Sequence, residues 1–152
     1  MPGKGLRESL VGFLEGNTLT NSLILKPFRE YRIQKSYKSL LELKELSADK
    51  LSHWKERINK VKLSTDNARI SKVSGAGTLQ KGYLRMHNGL IIHPLSYYGA
   101  PMLRLLMENE SVHEPQEEYV FQEVLKLMKP GATMLELGCY WGFYSMWFAS
   151  KI

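Results

Sequence analysis

The sequence predicts an α/β fold in which a mainly helical N-terminal region and a hairpin lead into the first strand and helix of an open sheet that is cut short. Three patterns support this interpretation: helical periodicity over residues 28–63, a hairpin signal near residue 88, and a strand–turn–helix pattern over residues 133–150. The change in pattern divides the chain into a helical region, residues 1–81, and the start of an α/β domain, residues 82–152.

The composition is that of an ordinary globular protein, with 43% hydrophobic and 24% charged residues. No apolar run approaches the ~18 residues that a membrane span requires, and the start of the chain lacks the uninterrupted apolar core of a secretory signal. The single cysteine, Cys139, excludes an intrachain disulfide. These features predict a cytoplasmic protein without a membrane span.

The net charge of +6 is unevenly placed, because residues 1–80 hold fifteen Lys/Arg against eight Asp/Glu. A basic half of this kind can bind nucleic acid or an anionic membrane surface. No basic block is longer than two residues and no nucleic-acid motif is present, so exposed helix faces account for the charge better than a nucleic-acid partner does. A basic helical interaction or nucleic-acid-binding module without catalysis remains the alternative function.

Two consecutive helices are predicted over residues 28–63, which contain neither Gly nor Pro. Leu40, Leu43 and Leu46 recur at close to helical spacing in the first helix, and Ser47 is suited to be the N-cap of the second. The second helix carries an apolar stripe, which we interpret as a packing face: Leu51, Trp54, Ile58 and Val61.

A linker or mobile turn is predicted over residues 71–78, which are rich in Gly and Ser. Its two glycines lack the third glycine and the preceding strand of a phosphate-binding loop. Further along, Asn88-Gly89 lies between two short apolar runs and predicts a hairpin, because both residue types tolerate positive φ. A short helix is expected over Met102–Met107.

A longer helix is predicted after the Glu114-Pro115 pair and ends at Lys129-Pro-Gly131. Pro115 suits the first turn, where its missing N–H is not needed, and the neighbouring glutamates complement the positive end of the helix dipole. The predicted buried face consists of Val120, Phe121, Val124, Leu125 and Met128.

The element that points to chemistry is a predicted strand, Thr133–Leu137, followed by a glycine turn, Gly138–Gly142, and a helix over Phe143–Ser150. In open α/β sheets, ligands bind beyond the carboxyl ends of the strands, where such a turn lies. Glu136 stands at the strand end, where its carboxylate could accept hydrogen bonds from turn amides or face a cationic ligand group.

The spacing of the turn excludes two phosphate-binding motifs. A dinucleotide fingerprint would need glycines where Tyr140 and Phe143 stand. A phosphate-cradling loop would need Gly-Lys-Ser/Thr at positions 143–145, which are Phe-Tyr-Ser. A ligand without a phosphate, such as S-adenosylmethionine, remains compatible with the turn.

Three segments are relevant here: Glu114-Pro115, Lys129-Pro-Gly131 and Met134-Leu-Glu-Leu-Gly-Cys-Tyr-Trp-Gly-Phe-Tyr-Ser145. In this order they resemble the start of the FkbM-type S-adenosylmethionine-dependent methyltransferases. The resemblance covers roughly residues 82–149. It implies a Rossmann-like methyltransferase domain and methyl transfer to a hydroxyl of a sugar or natural product, so that the partner would be a small-molecule or glycan acceptor. It also implies the cofactor-binding residues Glu136, Gly138, Cys139, Tyr140 and Gly142.

The resemblance leaves the catalytic residue unassigned and implies no metal. The histidines at positions 87, 93 and 113 lack metal-ligand spacing, so surface or hairpin roles are expected for them. The aromatic residues that follow the turn are expected to pack in a core. Because the chain ends at Ile152, before the other strands of such a domain, we expect it to bind S-adenosylmethionine weakly or not at all by itself.

Overall fold

The computed structural model describes Tyr37 and residues 40–152. The chain divides into two units, Met1–Ser39 and Leu40–Ile152. The structure presented below is that of the second unit, which is compact. The predicted boundary between residues 81 and 82 lies inside this unit. Most of the first predicted helix, and the stretch that precedes it, lie outside the described residues.

The second unit combines helices with a small antiparallel sheet, which confirms a mixed α and β composition. The helices are α1 (Ala48–Leu63), α2 (Thr65–Arg69), α3 (Gly99–Glu108), α4 (Pro115–Leu127) and α5 (Phe143–Ala149). The strands are β1 (Leu79–Gln80), β2 (Tyr83–Arg85) and β3 (Ile91–Ile92), which pair in the order β1-β2-β3. No helix among the described residues has the length and the apolar character needed to cross a membrane.

Helix α1 begins after Ser47, as predicted, and its apolar stripe is a packing face. Ile58 and Val61 are buried, and the helix packs on α3. The prediction that Leu40, Leu43 and Leu46 share one helix face is wrong. The residues with helical conformation end at Leu41, and Leu43 has a φ of +53°. A left-handed residue cannot continue a right-handed helix.

The predicted hairpin is confirmed, with Leu84 opposite Ile92 in strands β2 and β3. Gly89 has a φ of +94° in the connecting loop, a conformation that glycine adopts at little cost. The loop closes because the Met86 amide donates to the Leu90 carbonyl at 2.8 Å.

The Gly/Ser-rich segment over residues 71–78 is hydrogen-bonded to this hairpin. The Val73 amide donates to the His87 carbonyl and the Gly77 amide donates to the Arg85 carbonyl, both at 2.9 Å. A Cβ at Gly77 would lie 2.8 Å from the Glu110 backbone. The segment is therefore packed inside the compact unit, and β1 follows it directly.

Helix α4 begins at Pro115, as predicted, but its predicted buried face is wrong. The buried residues are Pro115, Glu118 and Gln122, whereas Val120 is 60% exposed. Val120 and Phe121 instead line an apolar groove that runs beside residues 134–137. The helical period identified the apolar residues correctly, and Phe121 packs on Tyr144 and Trp147. The fully buried residues, however, lie on the other side of the helix.

The predicted strand Thr133–Leu137 is not formed in this structure. Leu135 and Leu137 are 83% and 86% exposed, and none of the described strands pairs with this segment. A strand exists only through hydrogen bonds to a neighbour, so a buried-strand sequence without one remains irregular. The glycine turn and α5 that follow are both present, with Gly142 as the N-cap of α5.

Candidate functional site

The turn between residues 138 and 142 relies on its glycines for conformation. Gly138 and Gly142 have φ values of +75° and +72°, and Tyr140 between them has a φ of +38°. A Cβ at either glycine would meet nothing within 4 Å, so backbone conformation rather than space favours glycine there. The three left-handed residues turn the chain sharply into α5.

Glu136 is tied to the first turn of α5. Its Oε2 accepts a hydrogen bond from the Ser145 amide at 3.0 Å and a second from the Ser145 hydroxyl. The first amides of a helix have no partner within the helix and favour a negative charge. The sequence suggested two roles for the Glu136 carboxylate, and accepting a hydrogen bond from a backbone amide was one of them. The amide that donates to it is that of Ser145, in α5.

A cavity of about 340 Å³ lies against this turn. This volume is near the lower end of the ~300–1,000 Å³ of typical small-molecule pockets. Of the five predicted cofactor-binding residues, four line the cavity: Glu136, Gly138, Cys139 and Tyr140. Gly142 lies beside it, at the N-terminus of α5. The structure therefore brings the predicted residues together around one space.

Aromatic rings form much of the cavity wall. Tyr97 stacks on Trp141 with ring centroids 4.7 Å apart, and Trp141 stacks on Phe143 at 5.1 Å. Tyr140 stacks on Tyr98 at 4.9 Å. The aromatic residues that were expected to pack in a core are divided. Phe143 and Trp147 are buried, whereas Trp141, Tyr144 and Phe148 are half-buried.

The charges that face the cavity are negative. Glu114, Glu117 and Glu136 line it, and among the described residues no Lys or Arg does. The Tyr144 hydroxyl donates to Oε2 of Glu117 at 3.5 Å. Because aromatic faces and carboxylates both attract cations, this arrangement favours a positively charged ligand.

Two tyrosines of the cavity have pKa values above that of a free tyrosine. Burial, with Glu114 as the next contribution, raises the pKa of Tyr97 to about 12. Burial also raises the pKa of Tyr144 well above its usual range, and the carboxylates of Glu118, Glu114 and Glu117 act in the same direction. Both phenols therefore keep their proton, and can donate a hydrogen bond, at alkaline pH values where a free tyrosine ionises.

The carboxylate of Glu118 lies beneath the cavity and is completely buried. Its structural role was not predicted from the sequence. Oε1 of Glu118 accepts hydrogen bonds from the amides of His113 (2.9 Å) and Glu114 (2.8 Å). Its carboxylate also lies 2.7 Å from Nδ1 of His113 and 2.6 Å from Nε2 of His87. The expected surface role is wrong for His113, which is buried, and His87 is buried although it lies in the hairpin loop.

The two imidazoles keep Glu118 ionised. Burial acts to raise the pKa of Glu118, but the contacts with His113 and His87 outweigh it and hold the pKa well below its usual range. The position of Glu118 in the sequence could have indicated its structural role. A Glu four residues after the N-cap can accept a hydrogen bond from the N-cap amide, much as in a capping box.

Cys139 is an exposed free thiol, and within the described part of the chain no three His, Cys, Asp or Glu side chains are arranged to hold a metal ion. Comparison of the chain with family models, curated proteins and solved structures finds no match in any of the three. The geometry of the cavity and the sequence of the turn are therefore what a functional proposal depends on.

Proposed function

We propose that this chain contains the cofactor-binding turn of an S-adenosylmethionine-dependent methyltransferase that acts on a hydroxyl of a small molecule or glycan. The observation that carries the proposal is the cavity against residues 138–141, whose charged lining is acidic and whose walls are aromatic. The resemblance of residues 114–145 to FkbM-type enzymes supports the same assignment from the sequence.

The chemistry of the lining suits this cofactor. S-adenosylmethionine carries a positive sulfonium and an ammonium group and has no phosphate. Glu114 and Glu117 would attract its positive charge, and the faces of Tyr97 and Tyr140 would add cation–π attraction. Nucleotides with phosphates would be repelled by the same carboxylates, and the side chain of Tyr140 would obstruct a pyrophosphate.

The turn would contribute shape as well as charge. Gly138 has no side chain, so its backbone can be approached closely by a ligand. Glu136 is oriented by Ser145 through Oε2, which leaves its Oε1 as an acceptor for the cofactor. Transfer of a methyl group from sulfur to a hydroxyl oxygen is the chemistry that the bound cofactor supplies. No residue in the described part of the chain is assigned as the base that would accept the proton of the acceptor hydroxyl.

Binding experiments with charge-matched ligands test this proposal. Saturation-transfer NMR, which detects millimolar dissociation constants, would compare S-adenosylmethionine with S-adenosylhomocysteine, which lacks the sulfonium charge, and with ATP. We expect S-adenosylmethionine to bind best and ATP not to bind. ATP binding comparable to that of S-adenosylmethionine would contradict the proposal.

A matched pair of variants localises the binding. Glu117→Gln removes one carboxylate from the cavity, and we expect it to weaken S-adenosylmethionine binding by about fivefold, as for loss of an exposed charge contact. Glu123→Gln removes the same charge from the same helix at a position that does not line the cavity. It should leave binding unchanged, and an equal effect of both variants would indicate non-specific attraction.

A further inference from the structure

A second cavity, also of about 340 Å³, has the opposite charge. It lies between residues 71–73, the hairpin loop, α4 and α5, and most of its exposed wall is apolar. Val73, Leu125 and Trp147 contribute to that apolar wall. This space can therefore hold a small ligand with an apolar body.

Three lysines line the same cavity: Lys72, Lys126 and Lys151. Lys72 is held in place, since its amine donates to the Asn67 carbonyl at 3.0 Å and lies 3.3 Å from Glu110. Lys126 lies 2.6 Å from Glu123. No carboxylate is among the lining residues in the described part of the chain, so an anionic group is favoured there.

Three buried nitrogen atoms of residues that line this cavity make no hydrogen bond among the described residues. One of them, Nε2 of His87, still lies 2.6 Å from Oε2 of Glu118, whereas Nδ1 of His87 and Nδ2 of Asn88 have no such contact. Asn88 is oriented by its Oδ1, which accepts from the Leu90 amide at 3.1 Å. His87 is oriented by its Nε2, which faces Glu118. Buried polar groups are nearly always paired, so these two indicate that a partner is missing.

Gln122, in contrast, is satisfied on the same wall. Its Oε1 accepts from the Ser71 amide at 2.6 Å, and its Nε2 donates to the Arg69 carbonyl at 3.4 Å. The unsatisfied groups are therefore confined to the hairpin loop, at Asn88 and His87.

We propose that this second cavity binds a small organic carboxylate with a short apolar body. One of its oxygens would accept a hydrogen bond from Nδ2 of Asn88, next to the unpartnered Nδ1 of His87. The lysines attract the negative charge, and the apolar wall contacts the rest of the ligand. This proposal does not depend on the methyltransferase assignment, because the two cavities have different residues and opposite charge.

The test uses the full chain and three probes that separate charge from apolar surface: hexanoate, 1-hexanol and acetate. Calorimetry or protein-observed NMR should show hexanoate binding at least about tenfold more tightly than either control, as expected for a charge-assisted hydrogen bond combined with apolar contact. Hexanol binding as tightly as hexanoate would overturn the proposal, because binding would then depend on apolar contact alone.

Two sets of variants localise the effect. Asn88→Asp keeps the oxygen that accepts from the Leu90 amide but replaces the donor with a negative charge, and it should abolish hexanoate binding.

Lys126→Met with Lys151→Met should weaken hexanoate binding about tenfold. Lys60→Met with Lys62→Met removes equal charge from α1 and should leave hexanoate binding unchanged. The lysine pairs lie on exposed positions, so they remain informative if Asn88→Asp does not fold. Hexanoate binding that is unchanged in the lysine pair of the cavity, or in folded Asn88→Asp, would overturn the proposal.

Discussion

Oε2 of Glu118 lies 2.6 Å from Nε2 of His87, and both side chains are completely buried. The contact joins helix α4 to the hairpin loop, and the other carboxylate oxygen lies 2.7 Å from His113 in the segment before the helix. The His87 ring in turn packs edge-on against Trp147 of α5 at 4.9 Å. One carboxylate therefore connects the elements that surround both cavities.

Replacement of this carboxylate should destabilise the protein strongly. We expect Glu118→Gln to lower the free energy of unfolding by about 3 kcal/mol, because it removes a buried carboxylate that contacts two imidazoles and two backbone amides. Urea unfolding followed by tryptophan fluorescence would measure the change. Glu123→Gln, at an exposed pair with Lys126, should cost less than ~1 kcal/mol. Similar losses in the two variants would show that Glu118 is not a structural centre.

The same carboxylate should make stability depend on pH in the acid range. The folded protein holds the pKa of Glu118 below its usual range, so its stabilisation is complete above the unfolded pKa of ~4.3. It is lost progressively as the pH falls below that value towards the folded pKa. The difference in unfolding free energy between the native chain and Glu118→Gln should therefore shrink between about pH 5 and pH 3. A difference that stays constant over that range would contradict this account.

Gly77 and Gly131 offer a comparison between backbone strain and close packing. Both have positive φ, +75° and +79°. A Cβ at Gly131 would meet nothing within 4 Å, whereas one at Gly77 would lie 2.8 Å from the Glu110 backbone. We expect Gly131→Ala to cost about 1 kcal/mol for its conformation alone. Gly77→Ala should cost ~1–3 kcal/mol more because the backbone must shift. Thermal unfolding of the two variants measures the difference, and equal midpoints would indicate that residues 71–78 are not packed as described.

Local signals in the sequence predicted local structure well. Ser47 before α1, Asn88-Gly89 in the hairpin and Pro115 at the start of α4 each act through a few neighbouring residues, and the structure has all three elements. The turn of residues 138–142 was also predictable locally, because its own glycines specify it.

Features that depend on distant partners were not predictable in the same way. Thr133–Leu137 has the composition of a buried strand, but a strand requires a neighbour that its own residues do not specify. Glu118 and His87 would be assigned to the surface by residue type, and their burial depends on a contact between residues 31 positions apart in the chain. The period of helix α4 identified its apolar residues, yet the residues that are fully buried include the polar Glu118 and Gln122.

Amide chemical shifts of the ¹⁵N-labelled chain, recorded during titration with S-adenosylmethionine, test the central claim most directly. The account predicts that the amides of residues 136–145 shift, together with those of Tyr97 and Glu117, and that S-adenosylhomocysteine causes smaller changes at equal concentration. The amides of Lys72 and Asn88, at the basic cavity, should not respond. Shifts confined to the basic cavity, or equal shifts of residues 136–145 with ATP, would contradict the assignment of the glycine turn as the cofactor site.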